Sequence, residues 1–149
     1  MRRITNAYQA GFSLIELLAA LALLGILCTV AVANIQTLEN PLVSTSSNMS
    51  HYFRLVRVRA IAQTRSIRIT PGSAYHLEAG TASNCEAETF EPLSELDFDL
   101  DEEVRLGSTD WSVCFTQRGL VHQAVAFVLT GENGSRTVEI ALGGGVNIE

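Results

Sequence analysis

Gly11, Phe12 and Glu16 are the residues whose types and spacing best suit defined chemistry. They lie in Gly11-Phe12-Ser13-Leu14-Ile15-Glu16, between a short basic leader and an almost uninterrupted apolar run from Leu17 to Ala33. A glycine has no side chain, so a membrane protease can grip the backbone beside it. Charge is costly in such a run. Asp, Lys or Arg at a bilayer centre costs about 2.5–3.5 kcal/mol even on lenient insertion scales, and an ionisable group there marks function by default. Glu16 lies nearer the end of the run than its middle, so its penalty is smaller, yet it still needs a partner. A secretory signal would place small residues and a cut after its apolar region. Here a cut beside Gly11 would precede the run, and the run would then stay in the product.

Three other groups could do chemistry. Cys85 and Cys114 lie beyond the run, where a disulfide can persist if that part is extracytoplasmic. A bridge between them would contribute about 3–4 kcal/mol by closing a long loop; two free thiols are the alternative. Cys28, inside the run, reads as a small buried hydrophobe. Arg54, Arg57, Arg59, Arg65 and Arg68 form a basic cluster. Pairing with the segment Glu86–Glu103, nine acids and no base, is the ordinary reading, and nucleic-acid contact through Arg54, Arg57, Arg65 and Arg68 is the alternative. Asp97-x-Asp99-x-Asp101 imitates the start of a calcium loop. An EF-hand needs glycine sixth and glutamate twelfth, and Glu102 and Ser108 stand there, so a strand with an acidic solvent face is expected.

No metal site, cofactor or enzymatic activity is expected. The cysteine spacing matches no zinc motif and the histidines are scattered. Gly-x-Ser-x-Gly, a phosphate loop, His-Glu-x-x-His and Cys-x-x-Cys are all missing from the sequence. All ten basic residues are arginine. Removing the leader takes two arginines and no acids, leaving eight arginines against sixteen acids, a formal charge of −8. A net-acidic product is a poor general binder of nucleic acid, whose backbone is held largely by cations.

The elements that position these groups follow from periodicity. A helix over 12–33 would be about 33 Å long, enough for one span of a hydrocarbon core about 30 Å thick. Arg2 and Arg3 place the leader on the cytoplasmic side. Beyond the membrane, Ile35, Leu38, Leu42, Met49, Phe53, Val56 and Ala60 recur at helical steps. Pro41 and the weak formers Ser44–Asn48 predict a kinked stretch near 40–48 before the helix resumes to Gln63. Leu55, Val58 and Ile61 point away from that stripe and need another cover. The period then changes to two. Arg65–Thr70, Ala74–Ala79, Val104–Leu106, Trp111–Phe115, Ala124–Leu129, Thr137–Leu142 and Val146–Ile148 read as strands, as does the alternation of Leu96, Phe98 and Leu100. Pro71-Gly72-Ser73, Asn133-Gly134 and Gly143-Gly144-Gly145 mark turns, and Gly80–Pro92 reads as loop. The fold class is α+β, one long N-terminal helix packed on an antiparallel sheet.

The leader, Gly11-Phe12-Ser13-Leu14-Ile15-Glu16 and the apolar run together resemble the N-terminus of type IV pilins and type II secretion pseudopilins. The resemblance implies a peptidase cut between Gly11 and Phe12 and methylation of the new Phe12 amine. It also implies pairing of Glu16 with the amine of a neighbouring subunit. Val56-Arg57-Val58-Arg59-Ala60-Ile61 before Arg65-Ser66-Ile67-Arg68-Ile69, together with Phe115-x-x-x-Gly119, is similar to the GspH/FimT branch. So is the closing hairpin of Thr137-Val138-Glu139-Ile140 and Val146-Asn147-Ile148. Val56 and Arg59 depart from that branch's pattern, and Ala33 stands where many pilins carry proline.

What the resemblance implies is a leader over 1–11, a transmembrane and assembly helix over 12–33, an amphipathic helix over 34–64 and a β-rich domain over 65–149. The product would be a single-pass protein of the bacterial inner membrane with a periplasmic C-terminal domain. Its implied role is that of a minor pseudopilin in type II secretion. The alternative is a FimT-like minor pilin of type IV pili, with a link to DNA uptake. The implied partners are other pilins or pseudopilins in a filament, prepilin peptidase, the inner-membrane assembly platform and, before assembly, membrane lipid.

Overall fold

The computed structural model describes residues 13–36 and 40–149, side chains over 28–36 excepted. Helix α1 (Leu14–Gln36) belongs to one compact unit and Asn40–Glu149 forms a second. Every described α1 side chain, through Leu27, is exposed. Among the described residues no helix is long and apolar enough to cross a membrane. The apolar run ends at Ala33, past the last described α1 side chain.

Asn40 starts the domain helix. Its side chain accepts a hydrogen bond from Leu42 N at 3.0 Å, and Pro41 takes the first helical position, where no N–H is needed. Asn40 is extended (φ −94°, ψ 108°), so the break that Pro41 predicts falls at 40, while α2 runs unbroken over Pro41–Gln63 and the weak stretch expected through 48 is regular helix. Thr45, Ser46 and Ser50 are buried within it, and Ser46 Oγ donates to Val43 O at 2.9 Å. Close packing of these small side chains outweighs their low helix propensity. The helix ends at Thr64 in the left-handed region (φ 52°). Thr64 N and Arg65 N donate to Ile61 O and Ala60 O, a Schellman ending with threonine in the usual glycine place.

The domain is α+β with two antiparallel sheets rather than one. In the first, β1 (Ser66–Ser73) lies between β2 (His76–Ala82) and β6 (Val113–Phe115), and β3 (Glu91–Pro92) and β4 (Phe98–Asp99) pair with β2. The second runs β5 (Val104–Leu106), β7 (Val125–Gly131), β8 (Gly134–Ile140), β9 (Val146–Ile148). Residues 120–122 join the sheets: His122 N donates to Cys114 O at 3.1 Å and Val121 N to Leu142 O at 2.9 Å.

Several boundaries differ from the sequence reading. Pro71-Gly72-Ser73 continues β1 through a register shift, and the turn falls at residues 74–75. The β7–β8 turn is centred on Glu132-Asn133, with Gly131 opposite Gly134. Gly134 follows it and carries the positive φ (133°), so glycine serves the turn's exit rather than its centre. Leu96 closes a 3-10 turn (Ser94–Leu96) instead of opening a strand.

Helix α2 touches strands of both sheets. Phe53, fully buried, lies 6.4 Å from Phe115 on one sheet and 6.1 Å from Phe127 on the other. Trp111 stacks on Phe127 at 4.2 Å. Among the described residues the buried core cluster lies within 42–140, so the unit 40–149 carries a core of its own.

Candidate functional site

Gly11 and Phe12 lie outside the described residues, as does the bond between them. The description begins at Ser13, whose carbonyl accepts from Glu16 N at 3.0 Å and Leu17 N at 3.2 Å. Glu16 Oε2 accepts from Ser13 N at 3.3 Å. This is the returning half of a capping box, visible in the sequence as Ser13-x-x-Glu16. A carboxylate in the first helical turn also suits the positive end of the helix dipole. The bond is long and exposed, so the carboxylate can accept a stronger cationic donor.

Cys85 and Cys114 form a disulfide, joining the loop after β2 to β6. Sequence reasoning missed what holds the rest of that loop. Arg68 donates to Cys85 O at 2.7 Å, and its guanidinium lies 3.9 Å from the centre of the Phe90 ring. A Cβ on Gly80 would come within 2.8 Å of Phe90 Cβ, so glycine makes the seat. Glu91 pairs with Arg65 at 3.0 Å. The bridge closes a loop over a separation of 29 residues, worth about 3–4 kcal/mol. Reducing the folded domain is expected to lower its melting temperature by about 10–20 °C. An unchanged melting curve would show that the other contacts hold the loop unaided.

The structure does not gather the arginines into one free patch. Arg59 pairs with Glu95 and Arg65 with Glu91. Arg68 is engaged with the loop, and Arg57 Nη1 donates weakly to Gly144 O at 3.4 Å. Arg54 is exposed without an ion-pair partner among the described residues. The three aspartates are separated by their duties. Asp97 Oδ1 accepts from Ala79 N at 2.9 Å, Asp101 Oδ1 from Glu103 N at 3.0 Å, and Asp99 Oδ1 lies 2.7 Å from His76 Nδ1. That hydrogen bond holds the His76 pKa above the usual imidazole value, slight burial opposes it, and the charges of Asp99, Asp97 and Glu78 add to it. Burial, with the Asp97 charge, pushes the Tyr52 phenol well above its ordinary value, and its hydroxyl has no hydrogen-bond partner among the described residues. No group of three or more metal-ligating side chains occurs among the described residues.

Phe115-x-x-x-Gly119 marks a junction. Phe115 is in the core, and Gly119 (φ 73°) passes beneath the end of α2, where a Cβ would come within 2.7 Å of Ile61 Cδ1 and 3.1 Å of Arg57 Nε. Gly144 (φ 75°) packs against the Gly119 carbonyl with no room for a side chain. The last two turns of α2 and two glycine turns therefore meet at one end of the domain.

Comparison with known proteins gives two findings. Residues 6–32 match the prokaryotic N-terminal methylation motif. The fold is similar to that of the type IV minor pilin FimU of Pseudomonas aeruginosa (strain PAO1) in two crystal forms. Identity is 19% in each, the TM-scores are 0.56 and 0.55, and the match covers 72% of this chain and 87% or 92% of FimU. No curated protein is significantly similar to the chain in sequence.

Proposed function

We propose that this chain, which carries the prokaryotic N-terminal methylation motif and a pilin-like fold, is a minor structural subunit of a pilin-like filament. The observation that carries this reading is the motif over residues 6–32, most of which lies on a helix, α1, whose described side chains are all exposed. Prepilin peptidase cuts between Gly11 and Phe12, and the new Phe12 amine is methylated. The helix over 12–33 holds the chain in the inner membrane with the domain outside, until the assembly platform draws it into a filament. Lipid tails and neighbouring helices are similarly apolar, so burial gives little register in that transfer. The Glu16 carboxylate supplies it by pairing with the Phe12 amine of the next subunit.

Two machines fit. The net-acidic mature chain favours the pseudopilus of type II secretion, where DNA plays no part, and the ion pairs of Arg59 and Arg65 agree. The likeness to FimU favours a type IV pilus. Mass spectrometry of the mature protein tests the shared reading. The expected product lacks residues 1–11 and begins with N-methylated Phe12. A chain still starting at Met1, or one cut beyond Ala33, would overturn it.

A further inference from the structure

The segment carrying the 3-10 turn (Ser94–Leu96) and β4 runs past the middle of α2. The Phe98 ring lies 4.8 Å from that of Tyr52, and Glu95 pairs with Arg59, two turns along the helix from Tyr52. Between helix and segment lies a groove of about 440 Å³, within the range of about 300–1,000 Å³ usual for small-molecule sites. Tyr52, Leu55, Leu96 and Phe98 give it apolar walls, and Glu95 and Asp97 line it with a histidine and no arginine. Two observations point to a ligand. Tyr52 is 7% exposed, yet its hydroxyl is buried with no hydrogen-bond partner among the described residues, a costly condition for a polar group. Asp97 is unmatched as well. Glu95 has Arg59 as its counter-ion, whereas Asp97 has no ion pair among the described residues. Its Oδ1 accepts from Ala79 N, which leaves Oδ2 for a further donor.

We infer that this groove binds a small organic monocation with an apolar body, an aryl- or alkylammonium. The body lies along Leu55, Leu96 and Phe98, the ammonium faces Asp97, and one of its N–H groups donates to the Tyr52 hydroxyl oxygen. The hydroxyl is shut from water, so exposed side chains of the groove turn as the ligand enters. The aromatic rings add attraction for a cation. Charge selects the occupant: an anion would meet Asp97, and a wholly apolar molecule would leave both the carboxylate and the hydroxyl unpaired. Size selects it too. Eight residues line the groove, against about 20–30 on each side of a stable protein–protein contact. The site lies wholly within residues 40–149 and does not depend on the filament reading.

Calorimetric titration of the full chain in nanodiscs of zwitterionic lipid, with empty nanodiscs as the blank, tests it. Phenethylammonium is expected to bind with a dissociation constant below about 1 mM, and neutral 2-phenylethanol at least about tenfold more weakly. Asp97→Asn keeps an acceptor for Ala79 N and removes the charge, so it should weaken phenethylammonium binding at least about tenfold. Tyr52→Phe keeps the ring and removes the hydroxyl. It should weaken binding at least about threefold without lowering the melting temperature, because no hydrogen bond within the chain is lost. Melting curves confirm that both variants are folded. No binding of phenethylammonium up to about 10 mM, equal binding of the amine and the alcohol, or binding unchanged in either variant would refute the inference. Preference for an acetylated leucyl-arginine amide over phenethylammonium would refute it too, by assigning the groove to a basic protein segment.

Discussion

Glu16→Ala is expected to reduce filament incorporation at least about a hundredfold while leaving the chain folded. Removing one partner of a desolvated charge pair costs about 3–5 kcal/mol, because the other charge stays behind unpaired. Here the stranded group would be the methylated Phe12 amine of a neighbour inside a helical bundle. The internal role of Glu16 is small by comparison. Its bond to Ser13 N is 3.3 Å and exposed, and a lost cap contact of that kind costs about 0.5–1 kcal/mol. Glu16→Gln separates the two roles: it keeps an acceptor for Ser13 N and removes the charge. Immunoblots of sheared filaments, set against total membrane protein, give the incorporation ratio. If Glu16→Gln fails as Glu16→Ala does, charge is the cause. Wild-type incorporation of Glu16→Ala would refute the pairing.

What could be read from residues alone follows a physical line. The stripe of Met49, Phe53, Val56 and Ala60 predicts the buried face of α2 because burial imposes the helical period directly, and all four are buried. Leu55, Val58 and Ile61 were legible as a second apolar side for the same reason, and they are exposed. Asn40-Pro41 marks the break at 40 by local chemistry, an extended cap residue before a proline at the first helical position, whereas regular helix through 44–48 depends on the tertiary burial of Thr45 and Ser46, which propensity does not carry. The second sheet escaped notice because strand periodicity does not say which strand a neighbour pairs with, so β5 could not be seen to join β7 rather than β4. The division of labour among Asp97, Asp99 and Asp101 was hidden too. Their alternation predicts a solvent face, but the acceptors they offer to Ala79 N, His76 and Glu103 N depend on what folds beside them. Ser13-x-x-Glu16 was legible as a cap and eclipsed by the more distinctive glycine cut site beside it.

Phe53→Ala is expected to cost the most stability of any single truncation in the domain. Its ring is fully buried and lies near Tyr52 (5.3 Å), Phe115 and Phe127, so it joins α2 to both sheets. Phe→Ala in a core costs about 3–5 kcal/mol, because the lost transfer energy adds to a cavity that neighbours only partly fill. Phe115 and Phe127 are held on separate sheets and cannot both close inward on the gap. Against a total stability of about 5–15 kcal/mol, that loss leaves a marginal domain. Leu55→Ala, two residues along but 55% exposed, should change stability by no more than about 0.5 kcal/mol. Urea unfolding measures both. The midpoint of Phe53→Ala should fall with little change in slope, as expected when stability drops without a change in the surface exposed. Equal midpoints for the two variants would mean that Phe53 does not couple the helix to the sheets.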